Sequence, residues 1–275
     1  MKYTSYAKAN IFLKIVWTQW DYHLLSSRFV LIKELYDEIS FEIKTNKINN
    51  DENEQVVDKN FEIKGDFDCS LEENTIYKIY MKLIDHLIKV DKQKEVKKIR
   101  HFFSRNYVSV KKNIPAWWWF GGGSSNASTF LIAIHNLFDL HLSQEELYEI
   151  WVSVWADICF FLSWLPSATI HWIGEIIEAY EEDPIYLDFI TPNIACNTWS
   201  VYKEFRKNFF DPKKINHEFI KELERMKSTD ILRQFTPTEL NDLYAPSLYL
   251  YPELGEFESD NCFFNGSWSS FFKMI

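Results

Sequence analysis

The sequence predicts an α+β fold made of two halves that join near residues 160–165. Three observations carry this. Strand-like and helix-like segments mix without strict alternation, and a strand, a glycine-rich loop and a helix follow one another over 106–138. The C-terminal CFFNGSWSSFFKMI reads as strand, turn, strand. No internal repeat or long linker divides the 275 residues, which suffice for one large domain or two ordinary ones.

Taken in order, ANIFLKIV (9–16) is a short apolar run of the kind that forms a buried strand, and FVLIKEL (29–35) and DEISFEI (37–43) read as further strands. Residues 44–60 are polar and turn-rich, a surface loop. Asn74 is placed to cap a helix whose apolar positions Ile76, Ile79, Tyr80, Leu83 and Leu87 keep helical spacing to about Val90. NYVSVKK (106–112) is strand-like. After Gly121–Gly123, the positions Ala127, Phe130, Leu131, Ile134, Leu137 and Phe138 recur at three and four, a helix that Ser124 or Ser125 would cap. A second helix is expected over 144–153. ATIHWIGEII and IYLDFIT are strand-like, and short helices are expected near 200–207, 216–226 and 238–244.

Composition narrows the function. The formal charge of −10 argues against a nucleic-acid surface, which needs a basic stripe. The N-terminal MKYTSYAKANIFLKIV lacks the apolar stretch and cleavage site of a signal peptide, and no run approaches the length of a membrane span. Cys69, Cys159, Cys196 and Cys262 fit neither a metal spacing nor a disulfide framework, so they read as buried free thiols in a reducing cytoplasm. The histidines at 86, 101, 135, 141, 171 and 217 show no ligand spacing and read as structural.

The loop before the 127–138 helix is the strongest local signal. Consecutive main-chain N–H groups at a helix start form an anion site, helped by about half a positive charge from the helix dipole. Glycine lets a phosphate approach those amides closely. GGGSS alone fits a phosphate cradle and a flexible loop equally well. It is not a P-loop, since no lysine follows the glycines, and the first strand lacks the glycine pair of a dinucleotide fold.

Five stretches, the loop among them, follow in order: AKANIFLKI (7–15), DYHLL (21–25), IPAWWWFGGGSSNAS (114–128), WADICFFL (155–162) and FFNGSWSS (263–270). Together they resemble the GHMP kinase superfamily. Within it they are similar to the branch acting on 4-diphosphocytidyl-2-C-methyl-D-erythritol, whose pattern is roughly A-K-x-N-L-x-L, G-Y-H, I-P-x-G-G-G-L-G-G-G-S-S-x-A, G-A-D-x-P-F-F and G-S-G-S. The resemblance implies a ribosomal-protein-S5-like N-terminal lobe over 1–162 and a ferredoxin-like C-terminal lobe over 163–275. It implies transfer of the ATP γ-phosphate to the 2-hydroxyl of that substrate, with Mg²⁺ neutralising the phosphates. No metal ligand is named by the sequence.

Residue by residue, Lys8 and Asp157 match the catalytic pair. Pro115, Ala116, Trp117, Trp118, Trp119, Phe120, Gly121, Gly122, Gly123, Ser124 and Ser125 match the ATP phosphate loop. Tyr22 and His23 match the pair that holds the cytosine, Asn10 falls on another substrate position, and Tyr202 lies where an aromatic closes over the base. Asp21 and Cys159 depart from the family's glycine and proline without touching the chemistry. Without the resemblance, Lys8 reads as a surface lysine, Asp157 as a helix cap, His23 as structural and Tyr202 as core. Partners implied are small molecules only, with no nucleic acid or membrane, and oligomeric state is not legible. The alternatives are another GHMP kinase with a different alcohol acceptor, or a catalytically disabled binding module.

Glycine and tryptophan counts are both unusual. Glycine is 7 of 275 residues, about 2.5%, against a typical ~7%, while tryptophan is 11 of 275. Trp117–Trp119, Trp155 and Trp268 stand where the pattern has glycine. Trp17, Trp151, Trp164 and Trp172 fall where relatives commonly carry it, Trp20 does so for some relatives, and Trp199 is the uncertain case. Restoring all of them gives 7 + 11 = 18 glycines, about 6.5% of 275. This predicts UGA codons that the source reads as glycine. Were the indoles genuine, three would crowd a cradle that needs bare amides, the case for the disabled module; a stacking platform for sugars is a third reading.

Overall fold

The computed structural model describes residues 1–19, 22–45, 60–115, 120–151, 157–259, 261–267 and 269–275. They form two compact units. One comprises Met1–Tyr6, Glu34–Ile114 and Gly122–Leu162; the other comprises Ala7–Lys33, Pro115–Gly121 and Ser163–Ile275.

Two long strands, β1 (Lys2–Gln19) and β2 (Tyr22–Ile43), pair with each other and pass through both units. The two strands expected over 29–43 are one, because no glycine, proline or asparagine interrupts Tyr22–Ile43. In the first unit follow β3 (Ile63–Lys64), α1 (Thr75–Lys89), α2 (Gln93–Arg105), β4 (Asn106–Lys111), α3 (Gly122–Phe138), α4 (Gln144–Trp151) and α5 (Ile158–Ser163). The end of β2 runs antiparallel to β4, with Glu38 opposite Lys111 and Ile43 opposite Asn106, and β3 adds parallel to β4. Helix α1 is as expected: the Asn74 side chain accepts from the Ile76 N–H at 2.9 Å, and Ile76, Ile79, Tyr80, Leu83 and Leu87 are buried. It packs on α3. Phe61, Tyr80, Phe103 and Phe130 form the aromatic centre between helices and strands, Phe61 stacking on Tyr80 at 3.9 Å. Helix α2 was not expected. Its buried stripe is only Val96, Ile99 and Phe103, set among lysines and arginines.

In the second unit the start of β2 pairs antiparallel with β5 (Ser167–Trp172), which pairs with β6 (Ile176–Ala179). Then come β7 (Leu187–Ile190), α6 (Thr198–Glu204), a π-turn (Phe205–Phe209), α7 (His217–Arg225), α8 (Ser228–Gln234), α9 (Pro237–Leu240), α10 (Tyr244–Leu250), β8 (Phe263–Phe264) and β9 (Phe271–Met274). The C-terminal strand–turn–strand is present, with β9 between β7 and β8. The strand-like 168–177 segment is a hairpin turning at Ile173–Glu175. One core cluster joins Tyr244, Leu254, Phe264 and Phe271, another Leu13, Ile15, Val201, Phe205 and Leu243. Cys159, Cys196 and Cys262 are buried thiols outside any disulfide, whereas Cys69 is exposed, in the turn that leads into α1.

Among the described residues, six that are not glycine have left-handed backbone. Asp91, Asp139, His141 and Asn261 are of the types that tolerate it, but Trp164 (φ 56°) and Trp172 (φ 62°) are not. Trp164 follows the last residue of α5, the helix-end position that most often takes glycine, and Trp172 ends β5 at its hairpin turn. Both rings are about half exposed.

Candidate active site

Lys8 and Asn10 are two residues apart on β1 and so face the same way. Both are buried, Lys8 completely. The Lys8 ammonium donates to Asn10 Oδ1 at 2.5 Å and lies 4.2 Å from the centre of the Phe29 ring. Its main-chain N–H donates to Phe120 O at 2.9 Å, which fastens the end of the glycine-rich loop to β1. The Asn10 amide is oriented from behind. Ser27 Oγ donates to Phe12 O at 2.5 Å, so it accepts from Asn10 Nδ2 at 3.1 Å and leaves Oδ1 for the ammonium. Asn265, in the NGSWSS turn, accepts the Asn10 N–H at 2.9 Å. An ammonium held this far from water is costly unless anionic or polar groups face it, and a phosphoryl group is such a guest.

In the other unit, Gly122 and Gly123 are the first residues of α3, preceded by Gly121 in left-handed backbone (φ 71°). Ser124 and Ser125 therefore do not cap the helix from outside, as the sequence suggested, but lie in its first turn. The earlier start is possible because glycine needs no room: a Cβ on Gly122 would sit 3.1 Å from Ile114 Cγ2. The Ser125 hydroxyl accepts from Ser5 at 2.8 Å and is turned into the protein, while main-chain N–H groups in the first turn of a helix are donors of the kind that can meet an anion. Asp157 immediately precedes α5 and is half-buried. One turn along α3, Ser128 Oγ bonds Ser124 O at 2.8 Å and Ile158 O at 3.2 Å, so the residue after Asp157 is tied to the start of α3. Pro115 is described and half-buried. Ala116, Trp117, Trp118, Trp119 and the side chain of Tyr22 lie outside the described residues.

His23 and Tyr202, 179 positions apart in sequence, meet with ring centres 5.0 Å apart, beside Phe205 at 5.9 Å. Tyr202 is carried by α6, whose Asn197 cap accepts from the Ser200 N–H. Burial, with a smaller contribution from the Arg206 charge, lowers the His23 pKa to about 4. The imidazole is therefore neutral near pH 7, with one donor and one acceptor nitrogen. Its Nε2 is buried without a hydrogen-bond partner among the described residues. A flat heteroaromatic ring with its own donors and acceptors would satisfy it.

Sequence reasoning missed Ser27, Asn265 and Phe29. Asn265 lay inside a quoted motif, but Ser27 carried no signal, since its role exists only where β2 passes β1.

Comparison with known proteins shows the family. The profile for the GHMP kinases N terminal domain matches residues 74–163. A 4-diphosphocytidyl-2-C-methyl-D-erythritol kinase of Sulfurimonas denitrificans is 37% identical over 272 residues, covering 99% of this chain and 96% of the relative. One from Campylobacter jejuni is 36% identical over 273 residues, covering 98% of each. Among solved structures, a 4-(cytidine 5'-diphospho)-2C-methyl-D-erythritol kinase superposes with a TM-score of 0.68 at 22% identity, covering 100% of this chain and 90% of that one. The mevalonate kinase of Methanococcus jannaschii follows at 0.56 and 10% identity over 100% of this chain and 90% of that one, a likeness of fold alone. With full-length identity of this order to several such enzymes, the chain belongs to the GHMP kinases, in the 4-diphosphocytidyl-2-C-methyl-D-erythritol kinase family.

Proposed function

We propose that the chain transfers the γ-phosphoryl group of ATP to the 2-hydroxyl of 4-diphosphocytidyl-2-C-methyl-D-erythritol, giving the 2-phosphate and ADP. The observation that carries this is 37% identity along 99% of the chain to a kinase of that name. The site chemistry supports it. We read 1–162 and 163–275 as the two halves of the kinase fold, with Ala7–Lys33 and Pro115–Gly121 grouping with the second, and the reaction as cytoplasmic.

In this reading Asp157 accepts the proton of the 2-hydroxyl as its oxygen attacks the γ-phosphorus. The bond from that phosphorus to the β,γ-bridging oxygen breaks, and its electron pair leaves with ADP. Lys8, oriented by Asn10, offsets the charge that grows on the transferred group. Residues 115–125 hold the triphosphate, through the main-chain N–H groups at the start of α3, and His23, Tyr22 and Tyr202 hold the cytosine. Mg²⁺ bound to ATP would screen the phosphates.

The test is ADP release with 4-diphosphocytidyl-2-C-methyl-D-erythritol, mevalonate or homoserine as acceptor. Turnover with the first alone is expected. Preference for either of the others would move the chain to another GHMP activity, and ATP binding without turnover would make it a disabled module.

A further inference from the structure

Asp37 takes no part in the scheme above, yet it is completely buried. A carboxylate in that position is tolerated only when donors surround it. It lies on β2 one residue before Glu38, the position opposite Lys111 at the end of β4. There the ladder stops, and the next main-chain N–H groups need other acceptors. Asp37 supplies them: Oδ1 accepts from the Asn113 N–H and the Ile114 N–H, both at 2.7 Å. Oδ2 accepts from the Lys112 ammonium and from Asn126 Nδ2, the latter at 2.9 Å.

These partners come from two places in the chain. Lys112, Asn113 and Ile114 lead into the glycine-rich loop, and Asn126 lies in the first turn of α3 where the loop ends. The tie is doubled, because Lys112 also donates to Asn126 Oδ1 at 3.1 Å. Asn126 Nδ2 reaches Ser5 at 2.8 Å, and Ser5 donates on to Ser125. The Asn126 amide therefore has one orientation, nitrogen toward the carboxylate and oxygen toward the ammonium.

We propose that Asp37 is the positioning residue of the start of α3, one carboxylate that ties Lys112–Ile114 to Asn126 so that the main-chain amides of Gly122–Ser125 are preset for the triphosphate. The proposal rests on the assignment of Gly122–Ser125 to ATP. Presetting matters because amides that must be ordered on binding give back part of their affinity, whereas amides already aimed do not. Asp37 touches no substrate and acts through Lys112, Asn113, Ile114 and Asn126.

The test is Asp37→Asn, alone and exchanged as Asp37→Asn with Asn126→Asp. The single change keeps an oxygen for the two main-chain N–H groups but sets an NH₂ against the Lys112 and Asn126 donors. Losing a charge-assisted hydrogen bond of about 1.5–3 kcal/mol predicts an ATP KM at least about tenfold higher, with the KM for the alcohol substrate little changed. Deuterium exchange at the amides of residues 122–126 should be faster. The exchanged pair again sets NH₂ against carboxylate between positions 37 and 126 and gives Lys112 an anion at 126, but still turns an NH₂ toward the ammonium, so it should recover part of the ATP KM and of the slow exchange. Unchanged ATP KM and exchange in the single variant, or an exchanged pair that recovers neither, overturns the proposal. Lack of ATP turnover in the wild-type chain would overturn the kinase reading instead, while the exchange rates would still decide the role of Asp37.

Discussion

Ser27 accepts a hydrogen bond from the Asn10 side-chain nitrogen at 3.1 Å while giving its own proton to Phe12 O. That fixes which end of the Asn10 amide faces Lys8. Removing the hydroxyl in Ser27→Ala lets the amide turn over and set an NH₂ against the ammonium. A several-fold fall in kcat is expected, with Tm changed little more than the loss of one hydrogen bond, about 1 kcal/mol, requires. Lys8→Met removes the charge itself and should lower kcat by about 10²–10³, and Asp157→Asn should lower it by about 10²–10⁴. ADP release under saturating substrates measures all three. A Ser27→Ala chain with wild-type kcat would mean that Asn10 needs no help to face Lys8.

His23 supplies a pH prediction with a definite sign. Its folded pKa, about 4, lies below the ordinary histidine value of 6.5, mainly through burial. As pH falls through about 6.5 the unfolded chain takes up a proton that the folded one refuses, so stability declines between about 6.5 and 4 and this cost is absent above that window. The KM for the cytidine substrate should not change with His23 ionisation until pH approaches 4. An NMR titration of the His23 ring checks both. A midpoint near 6.5 would mean that the imidazole is more open to water than its packing against Tyr202 and Phe205 implies.

Gly121 and Gly122 separate two reasons for glycine. Gly121 needs it for backbone conformation, at φ 71°. Gly122 needs it for space, because a Cβ would meet Ile114 Cγ2 at 3.1 Å and Lys112 Nζ at 3.3 Å. Gly121→Ala should cost about 1–2 kcal/mol of stability. Gly122→Ala, pressing on the lysine that Asp37 holds, should raise the ATP KM more than it lowers Tm. Thermal unfolding and ATP titration of the two variants test the distinction, and identical behaviour would remove it.

Local features of the fold were legible and non-local ones were not. Asn74 announces α1 because a cap and its apolar stripe occupy neighbouring residues. The run after Gly123 announces α3 in the same way, though not its first residue, which depends on how closely Ile114 approaches. Helix α2 was hidden because lysines and arginines surround its three buried positions. Lys8, Asn10, His23 and Asp157 are singled out by the motifs around them. Asp37 and Ser27 were not, since each is a single polar residue in a strand, and what makes it matter is a partner more than ten residues away.

The last prediction concerns the tryptophans. Left-handed backbone costs a residue with a Cβ about 1–2 kcal/mol, and Trp164 and Trp172 both adopt it, at a helix end and a hairpin turn where glycine is the usual occupant. Neither indole repays the strain by burial, for each is about half exposed, as is Trp17, while Trp199 is 74% exposed. Tryptophan is ordinarily among the more buried side chains. Backbone geometry and composition, with 7 glycines against 11 tryptophans, thus point the same way, and neither depends on the other. The expected outcome is that all eleven codons are TGA and that the protein purified from its source carries glycine there by mass spectrometry. Made in a host that inserts tryptophan, the chain should gain about 1–2 kcal/mol from each of Trp164→Gly and Trp172→Gly, read as a Tm rise of a few degrees. Codons that are mostly TGG, or a Tm that falls on both changes, would mean that the indoles belong to the protein and that its strained turns are its own.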